Sequence, residues 1–313
     1  MNMKRIFFLV LMTLLLYLPM CSLAAVVDLS TYPAASGDIR LSITEDTTIK
    51  GDTSAILYLN VSDSVTLTFD NAYADVIRIR QDGSITLKGT TSCDDIELHA
   101  EKDSIATLEN FEAKHLWILP YSYKKNTITL NLRGSNSISN SIACYKPLCF
   151  SGNGSLFCKS LYGSGIVIYD NSIMIDGGHI TVEAGEGKAS AILVDGNDIP
   201  NVSFIMNGGN LIARGNGTYA VAAWDDESRR EYPSQIILGN KCFAIVAGED
   251  EASAKEIDSY TDEKYLKIAE IISPELKSEL PKTGDTSNVL LWSALAFISL
   301  FGMTMLVRKR KEA

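Results

Sequence analysis

The sequence predicts an all-β ectodomain folded as a right-handed parallel β-helix, a solenoid of short stacked coils. Three observations carry that expectation. First, a short apolar alternation recurs, starting at residues 47, 65, 85, 105, 128, 148, 173, 204 and 235. Repeats near 20 residues long hold about three short strands each, and one such coil cannot bury its apolar side alone. Second, the strands are broken by Gly, Asn and Asp turns, and two long units repeat one phrase. Ile175-Asp176-Gly177-Gly178-His179-Ile180-Thr181-Val182 is matched by Met206-Asn207-Gly208-Gly209-Asn210-Leu211-Ile212-Ala213. Paired glycines let a backbone turn where a side chain would clash. Third, few segments show a helical period. An antiparallel sandwich or propeller stays open as the alternative, because regular short strands suit those folds too.

Taken in order, residues 1–24 read as a secretory signal peptide. Lys4 and Arg5 precede an apolar run from Ile6 to Leu18, and Ser22-Leu23-Ala24 supplies small residues for cleavage after Ala24. A lipoprotein signal acylated at Cys21 is the rival. That signal wants a small residue before the cysteine, and Met20 stands there. Residues 25–248 hold the repeats. Past Gly248, residues 249–272 form a cap, expected because an open solenoid end exposes unpaired backbone. Within it, 249–258 is acidic and expected to be helical, and 263–272 alternates as a last strand. Residues 273–279 are a short linker.

The repeat region resembles a carbohydrate-binding β-helix family of bacterial surface proteins, itself similar in fold to pectate lyases. The resemblance rests on Gly152-Asn153-Gly154-Ser155-Leu156, Gly165-Ile166, the segment from Ile173 to Gly178, and the upstream Leu132-Arg133-Gly134-Ser135-Asn136-Ser137-Ile138. It covers roughly residues 45–250 and implies binding of plant-type polysaccharides and calcium.

The C-terminus carries a second resemblance. Leu280, Pro281, Lys282, Thr283 and Gly284 match the LPxTG sorting signal of Gram-positive surface proteins. The resemblance implies a sortase as partner, cleavage after Thr283, and transfer of the Thr283 carboxyl to an amine of peptidoglycan. Residues 288–307 follow as 20 residues without a charge. As a transmembrane helix of the precursor they would span about 30 Å. Residues 308–311 are basic and would stay cytoplasmic. The sorting signal as a whole is 280–313. The expectation is a secreted, wall-anchored protein whose precursor passes transiently through the plasma membrane.

Charge and cysteines bound the partners. Between residues 25 and 283 there are 22 basic and 36 acidic residues, a net charge of −14. Such a surface repels nucleic acid, and anionic polymers unless a cation bridges them. Cys93, Cys144, Cys149, Cys158 and Cys242 make an odd count, and their spacing is not that of a zinc site. Apolar neighbours, as in Leu148-Cys149-Phe150, suggest buried core residues, with one disulfide among Cys144, Cys149 and Cys158 as the alternative.

Sugar recognition needs aromatic faces and polar groups. Two places offer them: Trp117 with Tyr121 and Tyr123, and Trp224 with Asp225, Asp226, Arg229 and Tyr232. The alternation Leu116-Trp117-Ile118 also fits core packing for Trp117, and Trp224 also fits a plain strand end. Asp225, Asp226 and Glu227 supply hard oxygen donors for calcium, or form a solvated acidic turn. A glycosidase would need two facing carboxylates, and a lyase a base beside calcium. Asp94, Asp95, Glu97 and Arg229 are the residues available, and no motif singles them out as catalytic. The expected function is therefore non-catalytic polysaccharide binding, with an adhesin or spacer that binds a protein as the alternative.

Overall fold

A computed structural model describes residues 24–32, 37–81, 83–120, 126–195, 203–217, 219–225, 230–260 and 262–271. These residues form a parallel β-solenoid, with 25 strands joined in one continuous sheet. The signal peptide, the linker and the sorting signal, with its 288–307 span, lie outside them, apart from Ala24. Among the described residues no helix is long and apolar enough to cross a membrane.

Three parallel ladders make the faces of the solenoid. The first runs from Ala25–Asp28 through Thr47–Asp52, Val65–Tyr73 and Ser84–Thr91 to Ser104–Pro120. It continues through Ile128–Arg133, Leu148–Gly152, Ile173–Ile175 and Phe204–Met206 to Ile236–Leu238. The second begins at Ile39–Ile43, Ile56–Val61, Val76–Gln81 and Asp95–Ala100. It passes along the far half of Ser104–Pro120 and the end of Ser135–Cys144. Ile166–Tyr169, Ile192–Asp195 and Val221–Asp225 complete it. The third face is a short bend in the early coils and widens later into residues 135–138, Ser155–Lys159, His179–Glu183 and Asn210–Arg214.

Alternation along each strand sets what is buried. On the second face Leu57, Ile77, Ile96, Leu116, Ile142, Ile166 and Ile192 stack inward and are fully buried. Fully burying such a side chain is worth about 1.5–3 kcal/mol. Each coil supplies its own layer, so the core extends as a continuous column. At the corner between the first and third faces, successive coils place a left-handed residue: Gly51, Asn71, Gly89, Asn110, Gly134, Gly152, Gly178 and Gly209. Gly89 shows why glycine recurs there. A Cβ at that position would sit 2.1 Å from the Phe69 carbonyl oxygen of the coil below.

Cys93, Cys144, Cys149 and Cys158 are buried and free, so the disulfide alternative is not what the structure shows. Cys144 lies in register between Ile118 and Ile168, and Cys158 between Ile138 and Val182, where each fills an aliphatic position. Cys242 departs from the expectation. It precedes the strand Phe243–Gly248 and is exposed.

The cap also differs from the expected form. No helix forms over 249–258; a turn leads into the two-residue strand Lys255–Glu256. Pairing decides this, because Lys255 and Glu256 run antiparallel to Ala247 and Val246. The last strand is Tyr265–Glu270, placed antiparallel between Asn210–Arg214 and Phe243–Gly248.

Candidate functional site

The outward side of the second face gathers the chemistry. Its strands leave alternate residues pointing away from the core, and the parallel register lines these up from coil to coil. One outward row reads Arg40, Tyr58, Arg78, Glu97, Trp117, Ala143, Val167, Leu193 and Ala222. The next runs Ser42, Asn60, Arg80, His99 and Leu119, and its later coils carry Tyr169, Asp195 and Trp224. Tyr145 enters beside them, its backbone N–H donating to the Ile118 carbonyl, and its ring stacks on that of Tyr169 at 4.3 Å.

Trp117 and Trp224, separate candidates in the sequence, thus share one face. Core packing does not hold for Trp117. Leu116 and Ile118 point inward and are fully buried, while Trp117 is half-buried on the outside. Its indole Nε1 donates to Asp95 at 2.8 Å, which fixes the ring before any ligand arrives. At about 4.8 Å per coil, the strands bearing Trp117 and Trp224 lie roughly 19 Å apart along the axis.

The hairpin after Trp224 separates two expected partners. Trp224 opposes Glu231, whereas Tyr232 opposes Ala223 and so projects to the other side of the sheet. Asp225 ends the strand Val221–Asp225. Asp226, Glu227, Arg229, Tyr121 and Tyr123 lie outside the described residues, as does the Asp225 side chain, so the expected calcium donors have no geometry to test. Among the described residues, no group of three or more His, Cys, Asp or Glu is placed to hold a metal ion.

Towards the N-terminal end of this face lies a groove of about 420 Å³, lined in part by Arg40, Tyr58, Asn60, Arg78, Arg80 and His99. Arg78 Nε donates to Glu97 at 2.7 Å and its Nη1 to the Tyr58 hydroxyl at 2.5 Å. The Glu97 hydrogen bond raises the guanidinium pKa further and holds it charged. The Tyr58 ring is sandwiched, with Arg40 at 4.3 Å and Arg78 at 5.2 Å from its centroid. Arg80 pairs with Glu101, and Arg40 with Asp38 at the rim.

Two residues before Trp117 on the same strand stands a histidine network. His115 Nδ1 is 3.0 Å from Ser141 Oγ, and its Nε2 is 2.6 Å from Asn140 Nδ2. The amide oxygen of Asn140 accepts from the Leu161 N–H and the Ser160 hydroxyl, so its nitrogen donates to Nε2. Nδ1 then carries the ring proton and donates to Ser141. Burial pushes the His115 pKa down, which keeps the ring neutral. An imidazole in this tautomer cannot take the Ser141 proton at Nδ1, so the pair lacks the arrangement that activates a serine nucleophile.

The groove arginines, Tyr145 and Tyr169 were missed in the sequence. A signal for some of them was present: residues 40, 58, 78, 97 and 117 recur with the coil length, and each faces solvent between two inward aliphatics.

Residues 277–313 match the family model of the LPXTG cell wall anchor motif. No curated protein and no solved structure matches the chain. A solenoid preceding an LPXTG anchor makes the chain a cell-wall-anchored surface protein, processed by a sortase and attached covalently to peptidoglycan.

Proposed function

We propose that the ectodomain is a non-catalytic polysaccharide-binding module presented on the wall, with the second face as its platform. One observation carries this reading: Trp117, Tyr145 and Tyr169 project from one outward surface on successive coils, and Trp224 joins them one coil beyond Asp195. Aromatic side chains offer apolar area at low entropic cost, and Asp95, Asn60 and His99 stand nearby for hydroxyl groups. The coil repeat of about 4.8 Å is comparable to the length of one sugar ring, so a polymer laid along the axis meets about one coil per sugar. For the alternative of a protein ligand, Phe157, Leu161 and Tyr162 offer exposed apolar surface at another corner.

The test is pull-down on insoluble polysaccharides and titration with oligosaccharides, alongside a reducing-end assay. Stacking on Trp117 or Trp224 is worth on the order of 1–2 kcal/mol, so each alanine variant weakens binding several-fold to about thirtyfold. Release of reducing ends or of unsaturated products would move the protein into the enzyme class. Binding to a protein and to no glycan would favour the adhesin.

A further inference from the structure

The ectodomain is acidic, yet its arginines are not spread evenly. Of the seven arginines between residues 25 and 283, Arg40, Arg78 and Arg80 line one groove. They come from two coils, Arg40 from one and Arg78 with Arg80 from the other, with Tyr58 and Asn60 on the coil between them. Building on the polysaccharide reading, we propose that this groove recognises the oxyanion of an acidic sugar polymer. The neutral remainder of that polymer then runs along the same face over Trp117 and Tyr145.

The contacts assign distinct roles. Arg78 is a positioning residue: Glu97 and the Tyr58 hydroxyl occupy two of its nitrogens and hold the Tyr58 ring in place. Arg40 and Arg80 are the recognition pair. Their side chains are 68% and 41% exposed, so an incoming anion can reach them. Asp38 and Glu101, which pair with them, are 40% and 34% exposed and can turn to solvent when displaced. Exposed ion pairs of this kind contribute little to stability, so exchanging them for a ligand costs the fold little. Guanidinium forks match the geometry of a carboxylate or a phosphate. Asn60 and His99 add groups for the neighbouring hydroxyls.

An oxyanion on a glycan has two sources, a uronate carboxylate or a phosphate in a teichoic-type polymer, and the experiment separates them. Binding of the purified ectodomain to a polyuronate, a phosphate-bearing glycan and a neutral polysaccharide is measured from low to high salt. The variants are Arg40→Gln with Arg80→Gln, and separately Trp117→Ala, each checked for an unchanged melting temperature. At least one acidic polymer binds with salt-sensitive affinity, and its identity names the source. The double arginine variant weakens that binding by about tenfold and flattens the salt dependence. Trp117→Ala lowers affinity while keeping the salt dependence. Equal binding of neutral and acidic polymers, unchanged in the arginine variant, would overturn this inference and leave the polysaccharide reading standing. Binding to no glycan at all would overturn both.

Discussion

At the scale of single residues, burial decides the chemistry of the cysteines. Removal from water pushes the thiol of Cys93 up to about 11 and those of Cys144, Cys149 and Cys158 up to about 12. Asp176 beside Cys149 adds to its shift. These groups stay protonated near neutral pH, and a thiol is a poor nucleophile compared with its thiolate. In the secreted protein they are therefore protected both by access and by charge. A thiol reagent on the folded ectodomain should titrate Cys242 alone, and all five cysteines after unfolding in denaturant. A folded count of two or more would contradict the register that buries Cys144 and Cys158. Burial of most of these cysteines was legible from their apolar neighbours. The exposure of Cys242 was not, since it depends on where the strand Phe243–Gly248 begins.

At the scale of elements, the alternation was legible because it is local. In Ile173-Met174-Ile175 the two isoleucines are fully buried and the methionine is not. The common face of Trp117 and Trp224 was not legible. It depends on summing coil lengths that grow from about 20 to 31 residues, and any error in one corner flips every later side chain. The cap was misread for a similar reason, because the antiparallel pairing of Lys255 and Glu256 with Ala247 and Val246 overrode a local helical preference. Its closing strand buries Leu266 and Ile268 over the end of the third face. The strand is pinned at its end by Glu270, which pairs with Lys241 at 2.9 Å and accepts the Gly209 N–H at 3.0 Å. The Lys241 hydrogen bond and then the Gly209 N–H hold the Glu270 carboxyl below its ordinary value of 4.5. A depressed folded pKa means the stabilisation is present above the unfolded value and is lost as pH falls through the folded one. The cap should accordingly loosen in acid below about pH 4.5, ahead of the coils beneath it. Amide-exchange protection of residues 265–270, compared with 173–182 at each pH, reads this directly. Glu270→Gln should remove that part of the pH dependence. Loss of protection in step along the whole solenoid, identical in the variant, would show that Glu270 does not govern the cap.

At the scale of the whole molecule, sequence and function separate along the chain. The solenoid carries the proposed binding face, and a distinct C-terminal signal fixes where that face is displayed. The signal was legible at once, because a sortase reads a short linear motif and not a fold. We propose that the bond cut is the amide whose acyl side is Thr283, the enzyme retaining that acyl group until an amine of peptidoglycan takes it. Changing the acyl residue alters recognition at the reacting centre without touching any residue of 24–271, so folding and attachment can be tested apart. Wild-type protein should be released from cells by a muramidase and resist detergent. Thr283→Ala should fold with the same melting temperature yet remain unlinked, held through 288–307 in the membrane and extracted by detergent. The two pools are resolved by fractionating cells and comparing the mass of each released species, since the linked form carries a peptidoglycan fragment at Thr283 and the variant retains its tail. Wild-type protein extracted wholly by detergent, with no muramidase-released form, would rule out attachment through Thr283.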